Sequence, residues 1–257
     1  MDEGNQQLKI WSIRIAIVVA LLGLWEIAGA LEGELFLPRA SSTFVAWVQQ
    51  LGTEELWEAV LRSNQAIAFG FPLSVAVGIP LGLALGRVRR LDSLFGYYMD
   101  LMLVLPMIAV VPIIIAAFGL TLWARVAVVV LFTLPVIAMD SRAAVRVIDE
   151  QRVEMARSFT ATRPQIWSKV ILPLATGPIF AGLRLGISRA VSGMIVIELT
   201  LVPAGLGGLI SSYGSQFRAV DLYAVTATII VQGVLLVALA RILERNVKLR
   251  LSGGVRA

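Results

Sequence analysis

Six apolar runs, each about as long as a bilayer is thick, dominate this 257-residue chain. A helix rising ~1.5 Å per residue needs about 20 apolar residues to cross a hydrocarbon core of about 30 Å. Runs of that length fall at Trp11–Ala30, Gln65–Gly86, Gly96–Phe118, Leu122–Met139, Gly177–Val202 and Tyr223–Leu243. In lipid each backbone polar group must find its partner inside the protein, and runs this long and continuous satisfy that only as helices. The expected fold class is an all-α polytopic membrane protein of about six transmembrane helices, in one domain covering residues 1–257. Composition agrees: 58% of residues are hydrophobic and 15% charged, with a mean hydropathy of +0.85, whereas soluble domains carry about a quarter charged residues. With no Cys and no His, disulfides, thiolate metal sites, haem and imidazole catalysis are excluded. No internal repeat and no low-complexity segment stands out.

The third run contains Pro106 and Pro112 and the fourth Pro135, so kinks are expected there, with freed backbone groups facing protein or cavity water. Orientation follows from charge. With both termini inside, 16 of the 22 basic residues lie on the cytoplasmic side: Lys9 and Arg14; Arg87, Arg89 and Arg90; Arg142, Arg146, Arg152, Arg157, Arg163 and Lys169; and Arg241, Arg245, Lys248, Arg250 and Arg256. The other face keeps Arg39, Arg62, Arg218 and Arg125. This bias is the positive-inside pattern. It accounts for the net charge of +5 without a nucleic-acid partner. Ala28-Gly29-Ala30 has the small-residue form of a signal-peptidase site, but Asp2 and Glu3 spoil the basic flank, so the first run is read as a retained span. The one sizeable loop on the outer face, residues 31–64, is expected to hold a short surface helix around Glu54, Glu55, Trp57 and Glu58.

Between the fourth and fifth runs lies a cytoplasmic loop, residues 140–173, whose polar stretch Glu154–Pro173 reads as two short helices. In the first, Val153, Ala156, Phe159 and Thr160 suggest a weakly apolar face. Thr162-Arg163-Pro164-Gln165 has the form of a capping box with proline in the first turn. The second helix, Gln165 to Leu172, carries Ile166, Trp167, Val170 and Ile171, and Pro173 and Pro178 bracket the entry to the fifth span. On pattern alone, an amphipathic hairpin lying on the membrane surface reads equally well.

Glu154, Ala156, Ala161, Ile171 and Pro173 resemble the Glu-Ala-Ala loop of the membrane subunits of ABC importers. Gly182-Leu183-Arg184-Leu185-Gly186, Ile197-Glu198-Leu199 and Gly205-Leu206-Gly207-Gly208-Leu209-Ile210 resemble runs of permeases in the nitrate, taurine and sulfonate group, as does Phe36-Leu37-Pro38. The resemblance covers about Phe36 to Leu243. It implies a type I ABC importer permease fold in a bacterial inner membrane, with two copies of the permease forming the path. It also implies two ABC ATPase subunits docked on the loops and an extracytoplasmic binding protein delivering a small anionic solute. ATP and Mg would be bound by the ATPase, and this chain would hold no cofactor and catalyse nothing itself. The ATPase-coupling residues carried over are Glu154, Met155, Ala156, Arg157, Phe159, Thr160, Ala161 and Pro173. Two of these depart from the family pattern. Met155 replaces an Ala, and Thr160 stands where the family has Gly at the turn. Since a β-branched residue is a poor occupant of positive φ, either the turn is not left-handed or it moves toward Thr162.

Gly70, Ser74, Gly78, Gly82 and Gly86 recur every four residues along the second run, and Gly182, Gly186 and Ala190 make a shorter stripe on the fifth. Such stripes let helix backbones approach closely in lipid, and packing within the subunit is the expected use. Arg189 and Glu198 are ionisable residues within the fifth span and therefore candidates for the translocation path. They lie on opposite faces, so one is expected to face the path while the other packs. Arg184 is close enough to the cytoplasmic end to snorkel, Glu26 is expected at the interface, and Asp140 or Glu26 is a candidate partner for Arg189. The Gly205–Gly208 run lacks the Lys and Ser/Thr of a phosphate loop. The alternative to an ATP-driven permease is a secondary transporter or channel, which predicts midplane carboxylates and paired repeats; neither is evident.

Overall fold

A computed structural model of the chain describes residues 3–200 and 203–252, with only the backbone described at residues 3–6, 8 and 247–252, which include Glu3, Lys248 and Arg250. Asp2, Val202 and Arg256 lie outside the described residues. These form ten helices: α1 (Glu3–Glu32), α2 (Ala40–Gln50), α3 (Glu54–Arg87), α4 (Arg89–Val104), α5 (Met107–Phe118), α6 (Leu122–Arg146), α7 (Glu150–Ser158), α8 (Arg163–Thr200), α9 (Gly205–Ser215) and α10 (Ala219–Ser252). Five of them are long and apolar enough to cross a membrane, or six spans if α4 and α5 count together.

At the centre stands α6, clasped by α3 on one side and α8 on the other. The two small-residue stripes make that clasp. A Cβ at Gly70 would come within 2.6 Å of Val129 on α6, and Gly78 and Gly186 both abut Ile137. Gly82 lies against the Ala138 carbonyl and Gly86 against that of Arg142, while Gly182 faces Asp140 and Gly193 faces Phe132. With no side chain in the way, backbones close to van der Waals contact, the main source of helix association in lipid. Half of the apolar window of α6 is buried, against 6% for α1, so α1 sits at the periphery. It is held through α2: Trp25 Nε1 donates to the Pro38 carbonyl at 3.0 Å, and Glu26 accepts from the Ser41 N–H at 2.9 Å and its hydroxyl at 2.7 Å. Glu26 thus serves the N-terminus of α2, where orphan N–H groups welcome a carboxylate.

Four expectations are corrected. The surface helix of the 31–64 loop is α2, not the acidic segment; Glu54, Glu55, Trp57 and Glu58 form the opening of α3. Capped by Thr53 and favoured by Glu54 and Glu55 in its first turn, that helix runs 34 residues, about 51 Å at 1.5 Å per residue. The third run is not one kinked span but two arms, α4 and α5, meeting at 102°. Pro106 removes an N–H and holds Leu105 in extended backbone (φ −59°, ψ 133°), which ends the helix. The fourth helix extends past Met139 to Arg146. And the second helix of the polar loop does not stop before the fifth span. It continues into it, because the turn Trp167–Ile171 widens to π-helix just ahead of Pro173. A widened turn makes room for the proline ring, which would otherwise strike the carbonyl four residues back.

Candidate functional site

The polar loop folds into a compact hairpin, α7 followed by the first turns of α8, seated on the ends of α3 and α6. Its inner face is apolar: Val153, Ile166 and Ile171 are buried with Val145 of α6, and Leu83 of α3, Ile148, Ala156, Ala161 and Trp167 pack around them. Burying each of those branched side chains is worth roughly 1.5–3 kcal/mol, so the hairpin is held by the protein itself and spends this face on it. Asp149 caps α7 through the Gln151 N–H at 2.9 Å, and Arg87 reaches Glu150 at 3.5 Å. At the start of α8 the Thr162 N–H donates to Gln165 Oε1 at 2.8 Å, the back-reach expected of the capping box.

The turn between the two helices departs from expectation. Thr160 is left-handed, with φ of 57°, and the turn has not moved to Thr162. The Ala161 N–H bonds the Ala156 carbonyl at 3.1 Å and the Thr160 N–H the Arg157 carbonyl at 2.8 Å. These are the two hydrogen bonds of a Schellman ending, with Thr160 at the position glycine usually fills. Two satisfied carbonyls and the Ala156–Ala161 contact offset the ~1–2 kcal/mol cost of a left-handed non-glycine residue.

The outward face of the hairpin carries Glu154, Met155, Arg157, Ser158, Phe159 and Thr160, all exposed. Met155 is 60% and Phe159 79% exposed; Met155 lies on α7 and Phe159, four residues on, at its C-terminal cap. Phe159 therefore points out rather than in with Val153, and Ala156 is half-buried in the hairpin interior. Pro173 is also half-buried, inside α8.

Arg189 and Glu198 part company. Glu198 is fully buried. Its carboxylate accepts from the Ser63 hydroxyl at 2.8 Å and from the Gly207 N–H at 3.1 Å, and lies 3.5 Å from Arg125 Nη1. The Leu206 N–H donates to Ser63 Oγ at 2.9 Å, and Arg125 also holds the Arg62 carbonyl at 3.0 Å. So α9 has its N-terminal N–H groups capped by side chains from α3 and α8, the placement the helix dipole favours. Gly205, at φ 61°, lies against Ser63 and the Glu198 carboxylate, and Gly207 lies against the Glu198 backbone and Cβ. Any side chain there would collide with the knot. Arg189 instead is exposed and borders a cavity of about 250 Å³ under the α4–α5 bend. Neither suggested partner reaches it: Glu26 is engaged by Ser41, and Asp140 lies against Gly182. Arg184 pairs with Glu244.

Sequence reading missed Ser63 and Arg125, and also a charge cluster at the hairpin end. There the half-buried Asp92 side chain receives both Arg142 (2.5 Å) and Arg146, and Arg142 also approaches Asp100 at 3.4 Å. The cluster ties the start of α4 to the end of α6. The available signal was an Asp and an Arg at the ends of two runs adjacent in sequence.

Comparison with known proteins places these features. Residues 78–249 match the family model for binding-protein-dependent transport system inner membrane components. The chain is 28% identical to the taurine transport system permease protein TauC of Escherichia coli, over 82% of this chain and 78% of that one. It is 30% identical to the riboflavin transport system permease protein RibX of Chloroflexus aurantiacus, over 89% and 86%. Its fold matches a chain of the inward-facing MetNI methionine ABC transporter with a TM-score of 0.57 and 22% identity, covering 76% of this chain and 94% of that one.

Proposed function

The chain belongs to the family of binding-protein-dependent transport system inner membrane components, and on that premise we propose how it works within an ABC importer. As a permease it is not itself an enzyme; ATP hydrolysis falls to the partner ATPase. Two copies form the path, and an ATPase docks on each 150–171 hairpin. An extracytoplasmic binding protein delivers a small solute bearing an anionic group. Closure of the ATPase pair pushes on the hairpins, and because α8 continues without a break from hairpin to span, the push passes along a single helix through the membrane. Both termini and the hairpin lie on the cytoplasmic side, in keeping with the clustering of basic residues around them.

One observation carries the docking reading. The hairpin buries its own apolar face on α3 and α6 yet leaves Met155 and Phe159 exposed beside Glu154 and Arg157. An apolar pair rimmed by charges on an otherwise polar helix is the composition of an interface centre. This also disfavours a hairpin held on the bilayer by its apolar face. Charge in place of the ring tests it: Phe159→Asp should cut co-purification of the ATPase at least tenfold, while the permease alone elutes and melts as the parent does. Undiminished co-purification would remove the docking reading.

The anionic-group reading draws on the taurine permease relative, taurine being a sulfonate. The riboflavin permease is equally similar, so permease likeness alone does not choose a solute.

A further inference from the structure

Arg189 sits well inside the α8 span, and none of the described residues neutralises it. It is 17 residues into the 29-residue stretch Leu172–Thr200 that follows the widened turn, about 25 Å from one end and 16 Å from the other at 1.5 Å per residue. Among the described residues it makes no hydrogen bond and no ion pair. Neither end is within reach of a snorkelling guanidinium, whose stem spans only a few carbons. A charge at that depth is costly unless it meets a partner or a wet cavity.

Two further observations say which. First, the face of α8 around Arg189 is polar and uncovered. Ser188, Arg189, Ser192 and Thr200 are all exposed, and Arg189, Ser192, Val196 and Thr200 follow one another at helical spacing along one face. Second, Arg189 and Val196 border the cavity of about 250 Å³ whose other lining comes from the bend, Leu105, Met107 and Ile108, and from Phe132 and Pro135 of α6. Non-helical backbone at membrane depth is tolerated only where it is buried in protein or lines a water-filled cavity. An unpaired guanidinium and a broken helix therefore share one void, whose other lining residues are apolar and which has room for a few waters or a small anionic headgroup.

We propose that this void is a solute-contact site in the permease itself, where the Arg189 guanidinium receives the anionic group of the solute as it passes the bend of α4 and α5. The assignment rests on the anionic-group reading above. A guanidinium offers a planar fork of donors that matches the oxygens of a carboxylate, nitrate or sulfonate. An amine gains nothing from it. The permease thereby adds a charge filter of its own to whatever selection the binding protein makes.

The absence of cysteine makes the test direct. Ser192→Cys places a single thiol one turn from Arg189 on the same face. In the permease assembled with its ATPase in nanodiscs, the anionic reagent methanethiosulfonate ethylsulfonate should label this thiol about tenfold faster than its trimethylammonium counterpart, each rate divided by that for a free thiol. Adding Arg189→Gln should erase the preference. Uptake of nitrate and ethanesulfonate into proteoliposomes, with the binding protein supplied, should fall at least tenfold for Arg189→Gln and less for Arg189→Lys. No labelling by either reagent would mean that lipid or a second copy covers the face, and would overturn the site. So would a preference that survives Arg189→Gln. Both results leave the import reading standing. A parent transporter that takes up neither anion overturns the anionic-group reading, and the site with it.

Discussion

The two ends of the α8 span are finished in opposite ways. At the α9 end a fully buried carboxylate, Glu198, gathers Ser63, Arg125 and two helix-terminal N–H groups into a sealed knot, with Gly205 and Gly207 pressed against it. At the hairpin end the contacts are aliphatic, Val153, Ile166 and Ile171 on Val145, and the outermost residues are an uncovered Met and Phe. A polar knot out of water is demanding: each group needs its partner and geometry, and losing one strands the rest. An aliphatic seat is forgiving, since it asks only for volume and exclusion of water. The chain thus fixes one end of its central helices by specificity. It leaves the other as a platform that can bear load, and whose exposed face can be changed without unmaking the fold.

The largest test of that contrast is Glu198→Ala. It leaves Arg125 buried beside an empty space and the Gly207 N–H without an acceptor, and should destabilise the permease by about 3–5 kcal/mol. In detergent this would appear as a sharp fall in melting temperature or loss of the monodisperse peak. Glu198→Gln keeps an acceptor for Gly207 but not the charge, and should fall between the two. If Glu198→Ala melts with the parent, the knot anchors nothing and the contrast collapses.

Much of this arrangement could be read from the chain, and what could not has identifiable causes. Apolar run length located the spans, and four-residue spacing of Gly70 to Gly86 located a close seam, because both are local properties of one helix. The knot was invisible because Ser63, Arg125, Glu198 and Leu206 come from four separate segments and meet only once α3, α6, α8 and α9 pack. Proline was ambiguous for a related reason. Pro106 breaks a helix at 102°, whereas Pro72, Pro80, Pro112, Pro135 and Pro178 lie inside helices that continue past them, so a proline alone does not say where its helix ends. Phe159 was misassigned to the inner face with Val153. Six residues at 100° each leave them about 120° apart on the helix, whereas Met155 is only about 40° from Phe159.

Ala156→Arg comes next in size. A charge on the docking face should affect coupling only, but Ala156 is half-buried between the two arms, where a guanidinium displaces Ala161 and opens the hairpin core. We expect a loss of about 1–3 kcal/mol, the range for overpacking, confined to the hairpin end. Hydrogen exchange should rise in residues 150–171 and stay at parent levels in 205–215. Equal rises at both ends would show that hairpin and knot form one cooperative unit rather than two.

Thr160→Gly is the smallest change and the only one expected to stabilise. Thr160 occupies φ 57°, where a β-branched residue is strained and glycine is not, and both Schellman hydrogen bonds are main-chain bonds that the substitution leaves in place. The gain should be about 1 kcal/mol, the strain relieved less the added freedom of glycine in the unfolded chain. It would be read as slower exchange at the Thr160 position and at Ala161 with no change around Glu198. A loss instead would mean that the threonine side chain supports the turn through contacts beyond its backbone. The forgiving end of the molecule would then be as exacting, at this residue, as the knot is throughout.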